Sequence, residues 1–135
     1  MKQLQVKTSS SEYPIYIGED CLSVLAPFLQ QATQTIVVTD QTVYDLHYQK
    51  LSHVLPENTI TYIITPGESS KSFDCYHQIQ TFLIENQVDR QACLLAFGGG
   101  VVGDLAGFVA ATYMRGIDFI QIPTTLLAHD SAIGG

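Results

Sequence analysis

Apolar positions along the chain fall into short continuous runs that alternate with stretches where they recur every three or four residues, a pattern of strands alternating with helices. Leu4 to Lys7 and Tyr13 to Ile17 read as two short strands around a Ser9-Ser10-Ser11 turn, and Pro14 suits the second to a sheet edge. A helix is expected from Glu19 to Gln31, with Cys21, Leu22, Leu25, Phe28 and Leu29 on one face. Thr35 to Thr39 is a buried strand ending at Asp40. The spacing of Val43, Leu46, Leu51 and Val54 predicts a helix that Pro56 ends. Thr59 to Thr65 is a further strand, closed by Pro66-Gly67. Phe73, Tyr76, Ile79, Phe82 and Leu83 then mark an amphipathic helix to about Gln87. Ala92 to Phe97 is a wholly apolar strand running into Gly98-Gly99-Gly100, Val101 to Ala111 reads as helical, and Phe119 to Ile122 is a short strand before Pro123. Strands that are hydrophobic throughout and alternate with helices predict a Rossmann-like α/β fold: a mostly parallel sheet with helices on both faces.

The 135 residues suit one domain, 1–135, with no room for a second of similar size. A net charge of −7 disfavours a nucleic acid partner. Only 14% of residues are charged, and from Gln91 to Gly135 the charges are Asp104, Arg115, Asp118 and Asp130. So apolar a stretch points to the inner elements of a larger α/β protein or to an oligomer interface. The first residues contain no signal-peptide core, and the best apolar run, Leu105 to Met114, is too short and Gly-interrupted to span a membrane. Cys21, Cys75 and Cys93 form no C-x-x-C pair, which suits buried thiols in a reducing cytoplasm. A cytoplasmic, soluble protein is expected.

Candidate chemistry concentrates where strands end. Gly98-Gly99-Gly100-Val101-Val102-Gly103 matches G-x-G-x-x-G between a strand and a helix, where glycines allow close approach of a pyrophosphate to first-turn N–H groups. Steric packing of a tight turn is the competing account. No acid lies about 20 residues beyond, so a different acid must bind the ribose, and Asp40 supplies it in principle. An Asp there also suits the N-cap of the next helix. In Pro66-Gly67-Glu68-Ser69-Ser70-Lys71, Glu68 and Lys71 either clasp a ligand or form a solvated ion pair. Asp104 is expected in the first turn of its helix, serving the dipole or the reactive end of a cofactor. Arg115, before a Gly that loosens the loop, suits a clamp on a phosphate or carboxylate. His129 and Asp130 adjoin but diverge. His47, His53 and His77 are placed on helix surfaces, and no metal site is read in them.

Gly98 to Gly116, then Ile120 to Ala128 (Ile-Gln-Ile-Pro-Thr-Thr-Leu-Leu-Ala), then Asp130 to Gly135 (Asp-Ser-Ala-Ile-Gly-Gly), closely resemble the signature of the 3-dehydroquinate synthase family; Pro66-Gly67-Glu68-x-x-Lys71 and the strand ending in Asp40 also fit. The resemblance implies an NAD-binding N-terminal domain of an enzyme that converts 3-deoxy-D-arabino-heptulosonate 7-phosphate to 3-dehydroquinate and phosphate in the shikimate pathway. NAD is used catalytically in that reaction, by transient oxidation, phosphate elimination, re-reduction and aldol closure. By resemblance, Asp40 holds the adenosine ribose, Pro66 to Lys71 and Gly99 to Asp104 contact NAD, and Thr124 and Thr125 complete the cofactor site. Asp104 stands beside the reacting end, Asp130 binds substrate, and Arg115 reaches a substrate phosphate in the neighbouring subunit of a homodimer. The family's divalent metal, zinc or cobalt, is held by ligands of a helical C-terminal domain and not by this chain. The chain is therefore expected to be the NAD-binding part alone, cut before the catalytic lysine and inactive by itself. Related sugar-phosphate cyclases, glycerol-type dehydrogenases and a non-catalytic nucleotide-binding module are the competing readings.

Overall fold

The computed structural model describes residues 2–7, 12–17 and 25–123. Six strands, β1 (Lys2–Lys7), β2 (Glu12–Ile17), β3 (Thr35–Asp40), β4 (Ile60–Ile64), β5 (Cys93–Phe97) and β6 (Asp118–Ile122), form one sheet in the order β2-β1-β6-β5-β3-β4. The helices are α1 (Leu25–Gln31), α2 (Gln41–Ser52), α3 (Phe73–Glu85) and α4 (Gly100–Thr112). β6, β5, β3 and β4 are mutually parallel, as strands joined by helical crossovers must be, whereas β1 runs antiparallel to both β2 and β6. β2, with Pro14 paired to Gln5, is an edge strand as expected. The sequence-predicted turn at Ser9 to Ser11 and the helical stretch before Leu25 lie outside the described residues.

β5 is buried at all five positions and β3 from Thr35 to Thr39, which is why both read as unbroken apolar runs. Two clusters cover the two faces. Val37, Leu95, Phe97, Ile120 and Ile122 pack with Leu25 and Leu29 of α1 and Val43 and Leu51 of α2. Ile36, Val38, Leu94, Ala96 and Phe119 pack with Ile79 and Leu83 of α3 and Val102, Leu105, Ala106 and Val109 of α4. Each large side chain so buried stabilises the fold by roughly 1.5–3 kcal/mol.

The inward face of α2 differs from the one its spacing predicts. Leu46 is 68% exposed, because the stripe through Val43 and Leu51 at 100° per residue passes through His47 instead. His47 is accordingly half-buried rather than on the surface, and its Nδ1 is enclosed without a hydrogen-bond partner among the described residues. Phe73, assigned to the apolar face of α3, is 82% exposed at the first helical position.

Candidate functional site

From β3 the chain crosses through α2 to β4 on one side, and from β5 it crosses through α4 to β6 on the other. The sheet therefore reverses its winding between adjacent strands β3 and β5, and the crevice beyond their carboxyl ends is the place where open α/β sheets bind ligands. A buried bond from Thr39 Oγ1 to the Phe97 carbonyl, 2.7 Å, ties the two strand ends together there.

Asp40 terminates β3 and is the N-cap of α2: its Oδ1 accepts from the Val43 N–H at 2.8 Å. The capping account is thus observed. It uses one lone pair of one oxygen, and a carboxylate has room for about three further hydrogen bonds.

β5 ends in the glycine-rich turn, whose glycines differ in purpose. A Cβ on Gly98 would stand 2.9 Å from Val102 Cγ2, so that glycine serves packing. Gly99 and Gly100 have nothing within 4 Å of the same position and look onto open space. Gly99 is the N-cap of α4 and has no side chain to offer its first-turn N–H groups, which leaves donors at the positive end of the helix for an anion. These features fit a pyrophosphate. Val101 is half-buried and Val102 is in the core, so backbone groups are what they offer the crevice.

After β4, Gly67 takes φ 105°, a left-handed value suited to glycine, and the loop folds into a single 3-10 turn over Glu68–Ser70. Buried Ser70 donates its hydroxyl to the Thr65 carbonyl at 2.6 Å and holds the loop's shape, while Pro66, Glu68 and Ser69 are exposed. The loop delivers Lys71 to Asp104, Nζ to Oδ2 2.9 Å. The hydrogen bond from Asp104, then its charge and that of Glu68, hold the Lys71 ammonium above its ordinary range. Lys71 therefore pairs across 33 positions rather than locally with Glu68.

Asp104 itself is not in the first turn. α4 starts at Gly100, so Asp104 is its fifth residue, beyond the reach of the helix-end dipole. Beside this pair, Ser72, Phe73, Tyr76, Leu105 and Phe108 line a groove of about 320 Å³ between α3 and α4.

Arg115 lies past the other end of α4, a 13-residue helix about 20 Å long, at the amino edge of the parallel strands. The structure therefore does not bring it to Asp40, Lys71 or Asp104 within one chain. Nor does Gly116 loosen its loop: Met114, Arg115 and Gly116 take φ of 47°, 70° and 107° in succession, locked by Gly116 N–H to the Tyr113 carbonyl at 2.7 Å and Ile117 N–H to the Ala110 carbonyl at 2.9 Å. Left-handed backbone costs Met114 and Arg115 about 1 kcal/mol or more each. Thr124, Thr125 and Asp130 lie outside the described residues.

Cys93 is buried and its thiol is pushed up to about 12 by desolvation and the Asp118 charge, so it is a core residue; Cys75 is half-buried and also raised by desolvation. Among the described residues no three His, Cys, Asp or Glu side chains converge as a metal site, and no helix is long and apolar enough to cross a membrane.

Comparison with known proteins bears on the family and the fold. The 3-dehydroquinate synthases of Listeria monocytogenes serotype 4b (strain F2365) and Bacillus pumilus (strain SAFR-032) are 49% and 48% identical to this chain over its whole length, and that of Bacillus cytotoxicus is 43% identical. The chain spans 38–39% of the length of these relatives. Among solved structures, 2-deoxy-scyllo-inosose synthase, complexed with carbaglucose-6-phosphate, NAD+ and Co2+, matches 91% of this chain and 35% of its own at a TM-score of 0.74 and 24% identity, a likeness of fold. The 2-epi-5-epi-valiolone synthase of Streptomyces hygroscopicus subsp. jinggangensis 5008, with NAD+ and Zn2+ bound, matches 67% of this chain and 26% of its own at a TM-score of 0.56 and 26% identity. The model of the family described as 3-dehydroquinate synthase N-terminal matches residues 61–135, more than half of the chain, which therefore belongs to that family.

Proposed function

We propose that the chain is one α/β domain, 1–135, that forms the NAD-binding part of a 3-dehydroquinate synthase acting on 3-deoxy-D-arabino-heptulosonate 7-phosphate. The observation that carries this reading is the juxtaposition, at the winding reversal of the sheet, of a carboxylate ending β3 and an uncapped glycine turn ending β5. NAD, when bound, accepts and returns a hydride, so that a substrate hydroxyl is transiently a ketone and phosphate elimination becomes possible.

The chain's own residues bind and orient. Asp40 keeps acceptor capacity for the ribose hydroxyls after capping α2. Gly99, Gly100 and the first-turn N–H groups receive the pyrophosphate, and Lys71 with Asp104 sets a paired positive and negative charge beside it. Thr124 and Thr125 complete the cofactor site, and Asp130 binds substrate. Arg115 serves the phosphate of a substrate held by a second copy, in a homodimer; its distance from Asp104 within one chain and its locked backbone support that assignment. The described residues contain no ligand set for zinc or cobalt. Taken alone, these 135 residues bind NAD without turning substrate over, as the domain of a cytoplasmic enzyme.

Calorimetric titration tests the reading. One NAD per chain is expected, with NADP at least about tenfold weaker, because a carboxylate at Asp40 repels a 2′-phosphate. Failure to bind NAD, or equal affinity for NADP, overturns it.

A further inference from the structure

Gly103, the last glycine of the G-x-G-x-x-G run, does not face the crevice. It is buried inside the first turn of α4, where its N–H donates to the Gly99 carbonyl at 3.0 Å. A Cβ built on it would stand 2.8 Å from Cδ of Gln121 and closer still to Nε2. No other described glycine meets a polar side chain in this way: Gly98 would meet Val102, Gly107 the ring of Phe119, Gly116 backbone carbonyls, and Gly67, Gly99 and Gly100 nothing. The volume a side chain would take at 103 is filled by a carboxamide.

Gln121 reaches that slot from β6. It pairs with Ala96 of β5 and precedes Ile122, whose carbonyl accepts the Gly98 N–H at 3.1 Å, so it stands one residue from the backbone bond that anchors the glycine turn. Alternation along β6 puts Gln121 on the side of Phe119, which packs in the α4 cluster, and opposite Ile120 and Ile122. An apolar residue would satisfy packing on that side. A half-buried amide at the carboxyl end of the strand instead keeps donor and acceptor capacity next to the crevice.

We propose that Gln121 is a further residue of the cofactor site: position 103 lacks a side chain so that the Gln121 carboxamide can lie beneath the first turn of α4, and from there the amide hydrogen-bonds the dinucleotide held at Gly99 and Gly100. This rests on the cofactor reading above. Two substitutions reach the same amide by different routes. Gln121→Met keeps length and packing and removes the hydrogen-bonding groups. Gly103→Ala leaves Gln121 chemically intact and evicts it from the slot; the atoms to be moved are the end of a flexible side chain, and Ala improves helix propensity, so the fold is kept.

NAD titration and thermal melts of wild type, both single variants and the double variant form the test. Each single variant is expected to bind NAD about fivefold more weakly, the weight of one net hydrogen bond, with Tm within about 3 °C of wild type. The double variant is expected to be no weaker than the weaker single, because both changes remove one interaction. Wild-type affinity in Gln121→Met, or additive losses in the double variant, overturns the role of Gln121 and leaves the cofactor reading standing. Absence of NAD binding by wild type overturns both.

Discussion

Helices α2 and α4 start within one crevice, on adjacent strands, and their first turns are finished in opposite ways. α2 is closed by Asp40. α4 opens with Gly99, which offers no cap and faces empty space. α3, which begins after the loop from β4, is closed like α2, by the Ser72 side chain accepting from the Cys75 N–H at 3.2 Å. A side-chain cap contributes typically about 1 kcal/mol relative to alanine, so its omission at one helix of these three leaves donors that the proposed cofactor would use. On the reading proposed above, the contrast separates helix starts that serve the fold from the one that serves a ligand.

Closing the open one gives the largest expected effect. Gly99 has φ −84° and ψ −160°, which any residue adopts, and there is room for a side chain. Gly99→Asp is expected to supply the missing cap and leave Tm equal or slightly higher, while NAD binding falls at least about thirtyfold, since the new carboxylate takes the donors and repels the pyrophosphate. Calorimetry and a thermal melt on the same variant check both halves. Unchanged NAD affinity would remove the functional meaning of the contrast.

Asp40 stands on both sides of the comparison, and two substitutions split it. Asp40→Ala loses the cap and the ribose acceptor together: about 1 kcal/mol of stability, a Tm lower by roughly 3–4 °C, and NAD binding about tenfold weaker. Asp40→Ser keeps a capping oxygen, so Tm is expected near wild type while NAD affinity still falls. Equal NAD affinity in wild type and Asp40→Ser would leave Asp40 as a cap and nothing more. Ser72→Ala is the smaller control: about 0.5–1 kcal/mol of stability is lost with NAD affinity unchanged, because the donors it satisfies lie at the start of α3.

Much of this was readable in the sequence, for a physical reason. Each parallel strand is bounded by a Gly, Pro or capping residue, and the central β3 and β5 are buried on both faces while β4 lies at the edge, so β3, β4, β5 and β6 are marked by composition, and Asp40 and Gly98 to Gly100 fall at their ends by continuity of the chain. The features that escaped join distant positions. Lys71 meets Asp104 and Gly103 receives Gln121 only because the strand order β6-β5-β3-β4 brings their loops and strands together, and no local periodicity encodes that order. α4 starts at Gly100, one residue before the predicted Val101, which moves Asp104 from the fourth helical position to the fifth, beyond the first turn. At Leu46 the apolar spacing was compatible with two stripes, and the one through His47 won because His47 lies between Val43 and Leu51 on the face that they bury, while Leu46 falls to one side of it.

The pair between Lys71 and Asp104 is the mildest test of the contrast, since it stands at the crevice yet is open to solvent, with side chains 49% and 63% exposed. Exposed pairs add little to stability, so Asp104→Asn is expected to leave Tm within about 2 °C. Its signature is in the titration. The Lys71 pKa is raised in the folded state by the hydrogen bond and charge of Asp104 and by Glu68. What the pair contributes is therefore complete below the unfolded lysine value of 10.5 and disappears as pH rises through the higher folded one; nothing is lost between pH 6 and 9. In a pH titration followed by NMR on the lysine side chain, Lys71 is expected to deprotonate above the ordinary lysine value of 10.5 in wild type and to move down toward it in Asp104→Asn, with Glu68 leaving a small residue of the shift. A Lys71 that titrates identically in the two proteins would show the pair to be too screened to orient a ligand, and the crevice would then depend on Asp40 and the open helix start alone.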